Sequence, residues 1–226
     1  IHGFAHIWHN LDWSVLTDLL ISAIPAALCF SIHELSHGLM ALALGDDTAK
    51  RDGRLSLNPL RHIDPFGFLM LILVGFGWAK PVMVDMRRFK NPKLGMAATA
   101  FAGPLSNFLL AAVVMAAYGV AVAFQGAMPP AVAYNLLEIL VMTAYMSISL
   151  GVFNLIPVPP LDGSKVVEAV LPERTYYTIM RYEKYGMLVM FAVLITGVLD
   201  RPLSFVTREV FSGMLNIAQF TFDLVR

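Results

Sequence analysis

Residues 19–44 read LLISAIPAALCFSIHELSHGLMALAL. This is an apolar run interrupted only by His33-Glu34-Leu35-Ser36-His37. A helix needs about 20 mostly apolar residues to cross the hydrocarbon core of a bilayer, and this stretch is long enough. Gly45-Asp46-Asp47 follow the last apolar turn and end it. On a helix, His33 and His37 stand one above the other on the same face. They can share a tetrahedral metal ion, with Glu34 beside them to accept a proton from water on that ion. The competing reading is two imidazoles and an acid that satisfy one another inside a helix bundle. An ionisable residue at mid-membrane costs about 2.5–3.5 kcal/mol on insertion scales. Three polar or ionisable groups within five residues therefore demand a bundle interior and a task, which favours metal binding.

The rest of the chain agrees with a membrane setting. Of its 226 residues 58% are apolar and only 14% charged, against roughly 25% charged in a soluble domain. Mean hydropathy is +0.68. Too few charges exist to cover a soluble globule, and the same arithmetic excludes disorder. Sixteen basic residues balance sixteen acidic ones, so no nucleic-acid partner is implied. The single cysteine, Cys29, excludes a disulfide framework and a Cys-rich zinc module; it reads as a small packing residue.

Residues 94–124 form a second apolar stretch, with no charge between Lys93 and Glu138, and residues 132–156 form a third. Residues 186–199 are short for a crossing unless Tyr182 and Tyr185 extend them. The tail from 203 to 225 carries Arg208, Glu209 and Asp223 and reads as an amphipathic helix along the interface in preference to a crossing. Residues 66–79 are apolar but short and punctuated by Gly67, Gly75 and Gly77, which suits a re-entrant segment beside a functional cavity. The expected fold is an all-α polytopic membrane protein. It is a bundle of about four to six membrane helices, with a re-entrant segment, a β-hairpin being one form of it, after the first catalytic helix. One membrane-embedded domain takes in residues 1–226, with a catalytic core over about 19–172 and C-terminal helices over about 182–226.

Thirteen of the sixteen basic residues fall in three connections, 45–65, 80–93 and 157–184. The positive-inside rule puts these in the cytoplasm and the amino terminus outside, as in a multi-pass protein of the plasma membrane. Two basic connections flank residues 66–79, so that stretch enters and leaves on one side.

Two histidines do not complete a catalytic zinc site, which usually has three protein ligands and a water. Residues 154–163, NLIPVPPLDG, offer the third. Pro157, Pro159 and Pro160 end the third span. Asp162 then follows on backbone read as non-helical, with Gly163 allowing a tight turn, on the same membrane side as the His pair. A proline-rich loop with a turn aspartate is the plain alternative. Of the other histidines, His2, His6 and His9 lie beside Trp8 and Trp13 and read as an aromatic interface segment, and His62 as loop structure.

These motifs resemble those of the site-2 protease family of zinc intramembrane metalloproteases, in its short prokaryotic form without a PDZ or CBS domain. The resemblance covers roughly Ser31 to Pro172. It includes the H-E-x-x-H helix, Gly103-Pro104-Leu105-Ser106-Asn107, the N-x-x-P-x-P-x-x-D-G run, residues 57–65 and Gly77-Trp78-Ala79-Lys80-Pro81-Val82. It implies His33, His37 and Asp162 as zinc ligands and Glu34 as general base. It also implies Asn107 and Asn154 as groups that hold the substrate backbone or polarise the scissile carbonyl, with transmembrane segments of other proteins as substrates. Gly95, Thr99, Gly103 and Asn107 recur every four residues, a small-residue stripe that permits close helix approach; Asn107 therefore has a packing role open to it as well. The reading from another class is a catalytically silent, metal-binding membrane scaffold or chaperone. A metal transporter ranks last, because the polar groups gather in the cytoplasmic half.

Overall fold

The computed structural model describes residues 13–62, 64, 66–67, 80–182 and 185–226. Among these residues the fold is all helix, with no β-strand. Helix α1 (Trp13–Ala43) is followed by the single turn α2 (Thr48–Arg51), then α3 (Pro92–Phe124), α4 (Pro130–Asn154), α5 (Asp162–Val170), α6 (Glu173–Tyr182), α7 (Gly186–Ile195) and α8 (Asp200–Val225). Segments Ser22–Ala43, Pro92–Ala127 and Pro130–Asn154 are long and apolar enough to cross a membrane. Helices α7 and α8 pass the same test only as a pair, bent by 89° at their junction. The chain is a multi-pass membrane protein, with three such helices among the described residues, or four if the bent pair is one span. The re-entrant expectation falls mostly on residues outside those described, as do His2, His6 and His9.

Local chemistry sets the helix ends. Gly45, at φ +106°, takes the left-handed conformation that stops α1, and the Asp46 N–H turns back to the Ala41 carbonyl at 2.9 Å. Asn91 caps α3 by accepting from the Leu94 N–H, and Pro92 occupies the first helical turn.

Helix α3 is the central element, packed against α1, α4, α5 and α8. Thr99, Gly103, Asn107 and Ala111 are buried along one side of it. Phe101, Leu105, Leu109 and Val113, offset by two residues and so on the opposite side, are exposed. Small residues face protein and large apolar ones face outward, the arrangement expected where the surrounding solvent is lipid. The core cluster joins Ala111, Val114 and Met115 of α3 with Ala144, Ile148 and Val152 of α4 and Ala218 of α8.

Two expectations give way here. Asp162 is not on irregular backbone: it is the first residue of α5. Gly163 sits inside that helix at ordinary φ, and a Cβ there would overlap the Leu155 carbonyl. It therefore serves close approach and not a turn. The tail folds as α8, which packs along α3 and α4; Thr207 and Ala218 are buried, and the Thr221 hydroxyl donates to the Ala116 carbonyl at 3.0 Å. Residues 186–199 do not become one long span; α7 stops at Ile195, and α6 ends separately at Tyr182.

Candidate metal centre

His33 and His37 are both buried on α1, and their rings lie 4.6 Å apart at right angles. Gly103 makes room for them from α3. A Cβ at that position would stand 2.5 Å from His37 Nε2 and 2.7 Å from His33 Cε1. The small-residue stripe brings the α3 backbone directly against the imidazoles. The Thr99 carbonyl, one turn earlier on α3, lies 2.7 Å from His37 Nδ1. With the proton on Nδ1, that bond orients the ring and leaves Nε2 as a lone-pair donor.

Asp162 arrives from a distant part of the chain. The prolines after α4 end that helix, and α5 then packs against α3. The far end of α5 is fastened to the start of α3, where Lys93 Nζ donates to the Leu171 carbonyl at 2.6 Å and sits over the Tyr176 ring. Asp162 Oδ2 lies 3.1 Å from His33 Nε2 and 3.3 Å from His37 Nε2. One ligand atom from each of the three residues falls within 4.8 Å of the others. Four-coordinate arms of about 2.0–2.1 Å give tetrahedral edges of about 3.3 Å, so the two Asp162–His separations match those of ligands around one small cation. An ionised carboxylate and two imidazoles form a donor set that leaves a fourth position for water or substrate.

Glu34 is half-buried on α1 beside the pair. Its Oε2 accepts from the main-chain N–H of Val82 at 3.1 Å. Asn107 is completely buried, with neither side-chain amide atom hydrogen-bonded, while the Ser147 hydroxyl donates to its main-chain carbonyl at 2.8 Å. Asn154, the last residue of α4, donates through Nδ2 to the Leu150 carbonyl of its own helix. His33, His37 and Asp162 are thus brought together, and neither asparagine is bonded to them. His62, read as loop structure, is a buried tie: its Nε2 lies 2.7 Å from the Ser56 carbonyl. Sequence reasoning missed the Thr99 carbonyl and the Val82 amide, because a main-chain group has no residue signature.

A family model described as Peptidase family M50 matches residues 119–197, a stretch that includes Asp162 but not the His pair. The chain is 38% identical over 189 residues to the protein named "Putative zinc metalloprotease YwhC" of Bacillus subtilis, covering 81% of this chain and 82% of that one. It is 28% identical to the protein named "Putative zinc metalloprotease Rip2" of Mycolicibacterium smegmatis, covering 81% and 69%. The counterpart of the same name in Mycobacterium tuberculosis is 24% identical, covering 80% and 68%. No solved structure matches significantly. With two histidines from a membrane helix and an aspartate after a proline-broken one closing on a common point, and a relative matched over four-fifths of both chains, the chain belongs to peptidase family M50, the site-2 protease family.

Proposed function

We propose that this protein is a zinc-dependent intramembrane endopeptidase that cuts transmembrane segments of other proteins near the cytoplasmic face. The observation that carries the reading is the convergence of Asp162 Oδ2 on both Nε2 atoms, at 3.1 and 3.3 Å, within a buried site. His33, His37 and Asp162 would hold the zinc ion. Bound there, zinc lowers the pKa of a coordinated water to about 7 and polarises a carbonyl oxygen. Glu34 takes the proton released as water attacks the scissile carbonyl, and returns it to the leaving amine nitrogen. The Thr99 carbonyl keeps the His37 ring in its ligating orientation.

A substrate helix must unwind locally before its peptide bond is open to attack. Residues 80–85 run without regular structure beside the site, with Lys80, Pro81 and Met83 exposed, and an unwound strand can add to such an edge through main-chain hydrogen bonds. Asn107 and Asn154 are the side chains assigned to hold that backbone. For Asn107 the support is a buried amide with unused bonding capacity; for Asn154 it is the family motif alone, since its amide is engaged on its own helix. The site would open on the cytoplasmic side of the plasma membrane, with the amino terminus outside, a reading supported by the three basic connections and the positive-inside rule.

Comparison of wild-type and Glu34→Gln protein in the same membranes tests the reading. The variant is expected to keep its zinc and lose substrate cleavage by roughly 10²–10⁴-fold, the usual contribution of a general base. A catalytically silent scaffold would keep its activity in the variant, and fragments that persist unchanged would sink the protease assignment.

A further inference from the structure

The base of the proposed reaction is held by a main-chain group. Val82 N–H donates to Glu34 Oε2 at 3.1 Å, and the Val82 side chain lies over Gly38, one turn further along α1. A Cβ on Gly38 would stand 3.6 Å from Val82 Cγ1. Residue 82 therefore meets the catalytic helix at two successive turns. The segment that carries it is fixed on both sides. Lys80 N–H donates to the His62 carbonyl at 2.8 Å, and His62 is itself buried. Asp85 N–H donates to Asp46 Oδ2 at 2.7 Å, and Asp46 is fully buried where α1 ends. Between these anchors the Val82 amide has little freedom to point elsewhere.

We infer, on the reading of Glu34 as general base, that the Val82 N–H is its positioning donor. By engaging Oε2 it leaves the second carboxylate oxygen free to take the proton of the attacking water. A carboxylate held at one oxygen loses the rotation that would turn both oxygens away. The base thereby depends on residues 80–85: any event that lifts this segment from α1 releases the carboxylate without touching a metal ligand. The segment couples whatever engages its exposed edge to the chemistry.

Val82→Pro deletes the donor at a position outside any helix or strand. The expected result is a fall in kcat of roughly ten- to hundred-fold, part of the general-base contribution, with KM within about twofold and zinc per chain unaltered. Val82→Ala keeps the N–H and trims only the side chain over Gly38, so its loss should be at least about tenfold smaller. A wild-type kcat in Val82→Pro, or equal losses in the two variants, overturns the proposal. Amide exchange at residue 82 gives a second reading that does not depend on the proline variant folding. Protection should survive in Glu34→Gln, which keeps an acceptor, and exchange should rise about tenfold or more in Glu34→Ala; unchanged protection in Glu34→Ala overturns the contact. A protein whose amide is freed in Glu34→Ala while Glu34→Gln still cuts substrate has the contact but not the catalytic role beneath it.

Discussion

Helices α3 and α7 are both strongly apolar, yet they are joined to the rest of the molecule in opposite ways. Helix α3 presents Gly95, Thr99, Gly103, Asn107, Ala111 and Gly119 to its neighbours, all buried, and at Gly103 and Gly119 no side chain would fit. Helix α7 exposes Met187, Leu188, Val189, Phe191 and Ile195 and buries only Gly186 and Met190. Its tight contact is Gly186 against Pro159, where a Cβ would lie 2.7 Å from the carbonyl oxygen. Lipid tails are as apolar as leucine, so burial of large side chains gives little net pull between membrane helices. Close backbone approach and interhelical hydrogen bonds decide which helices cohere. The metal centre is built against one such contact, at Gly103.

The sharpest way to break that contrast is Gly103→Leu. Its side chain must displace the two imidazoles that the glycine admits, and metal affinity should fall by roughly 100-fold or more, beyond the usual 10–100-fold cost of disturbing a ligand's support. Metal content under chelator competition measures it, and a variant that still loads zinc normally would show that α3 does not shape the site.

Gly119→Val attacks the same helix away from the metal. A Cβ there overlaps the Ala218 carbonyl and the Thr221 hydroxyl of α8, so overpacking of about 1–3 kcal/mol is expected. It should appear as a lower Tm in detergent while zinc content at low temperature is kept. Zinc loss at low temperature would mean that α8, and not α3 alone, sets the centre.

Asp46 tests the seam between α1 and residues 80–85. Burial raises its carboxyl, but bonds from the Thr48 hydroxyl, the Asp85 and Thr48 amides and the Arg88 guanidinium outweigh burial and leave it below the usual carboxylate range. A lowered folded-state pKa contributes stability that is complete above the unfolded value of about 3.9 and is lost as pH falls through the lower folded one. The wild type should lose stability over this acid window, and Asp46→Asn should show a shallower dependence there. Identical acid limbs in the two proteins would remove Asp46 from the seam.

The smallest effect is expected on α7. Leu188→Ala removes an exposed side chain and should move stability by no more than about 0.5 kcal/mol; a core-sized loss would show that α7 has a packing partner after all.

Much of this was legible in the residues themselves. The H-E-x-x-H spacing placed His33 and His37 on one helix face, and α1 carries them there. Helices α3 and α4 begin and end within a few residues of their apolar stretches, because apolar length and capping are local properties. The small-residue stripe of α3 was readable as a close-contact face, and Gly103 is where it meets the imidazoles. The reading of Asp162 put it beside the His pair, where the structure has it, but failed in its conformation: prolines signalled the break after Asn154, whereas the immediate start of α5 depends on its packing against α3. For the tail, Arg208, Glu209 and Asp223 made an amphipathic helix legible, but not the buried Thr207 and Ala218 and the Thr221 bond that tie α8 to the bundle.

By itself, then, the sequence pointed to the solvent, the crossing segments and the three candidate ligands, because hydropathy, turn chemistry and i,i+4 spacing act over a few residues. Only the tertiary structure decided that Asp162 reaches the His pair across more than a hundred residues, that the Thr99 carbonyl orients His37, and that the Val82 amide meets Glu34. Each of these depends on where one backbone lies against another, and main-chain donors and acceptors are the same at every position until packing brings a particular one to the site.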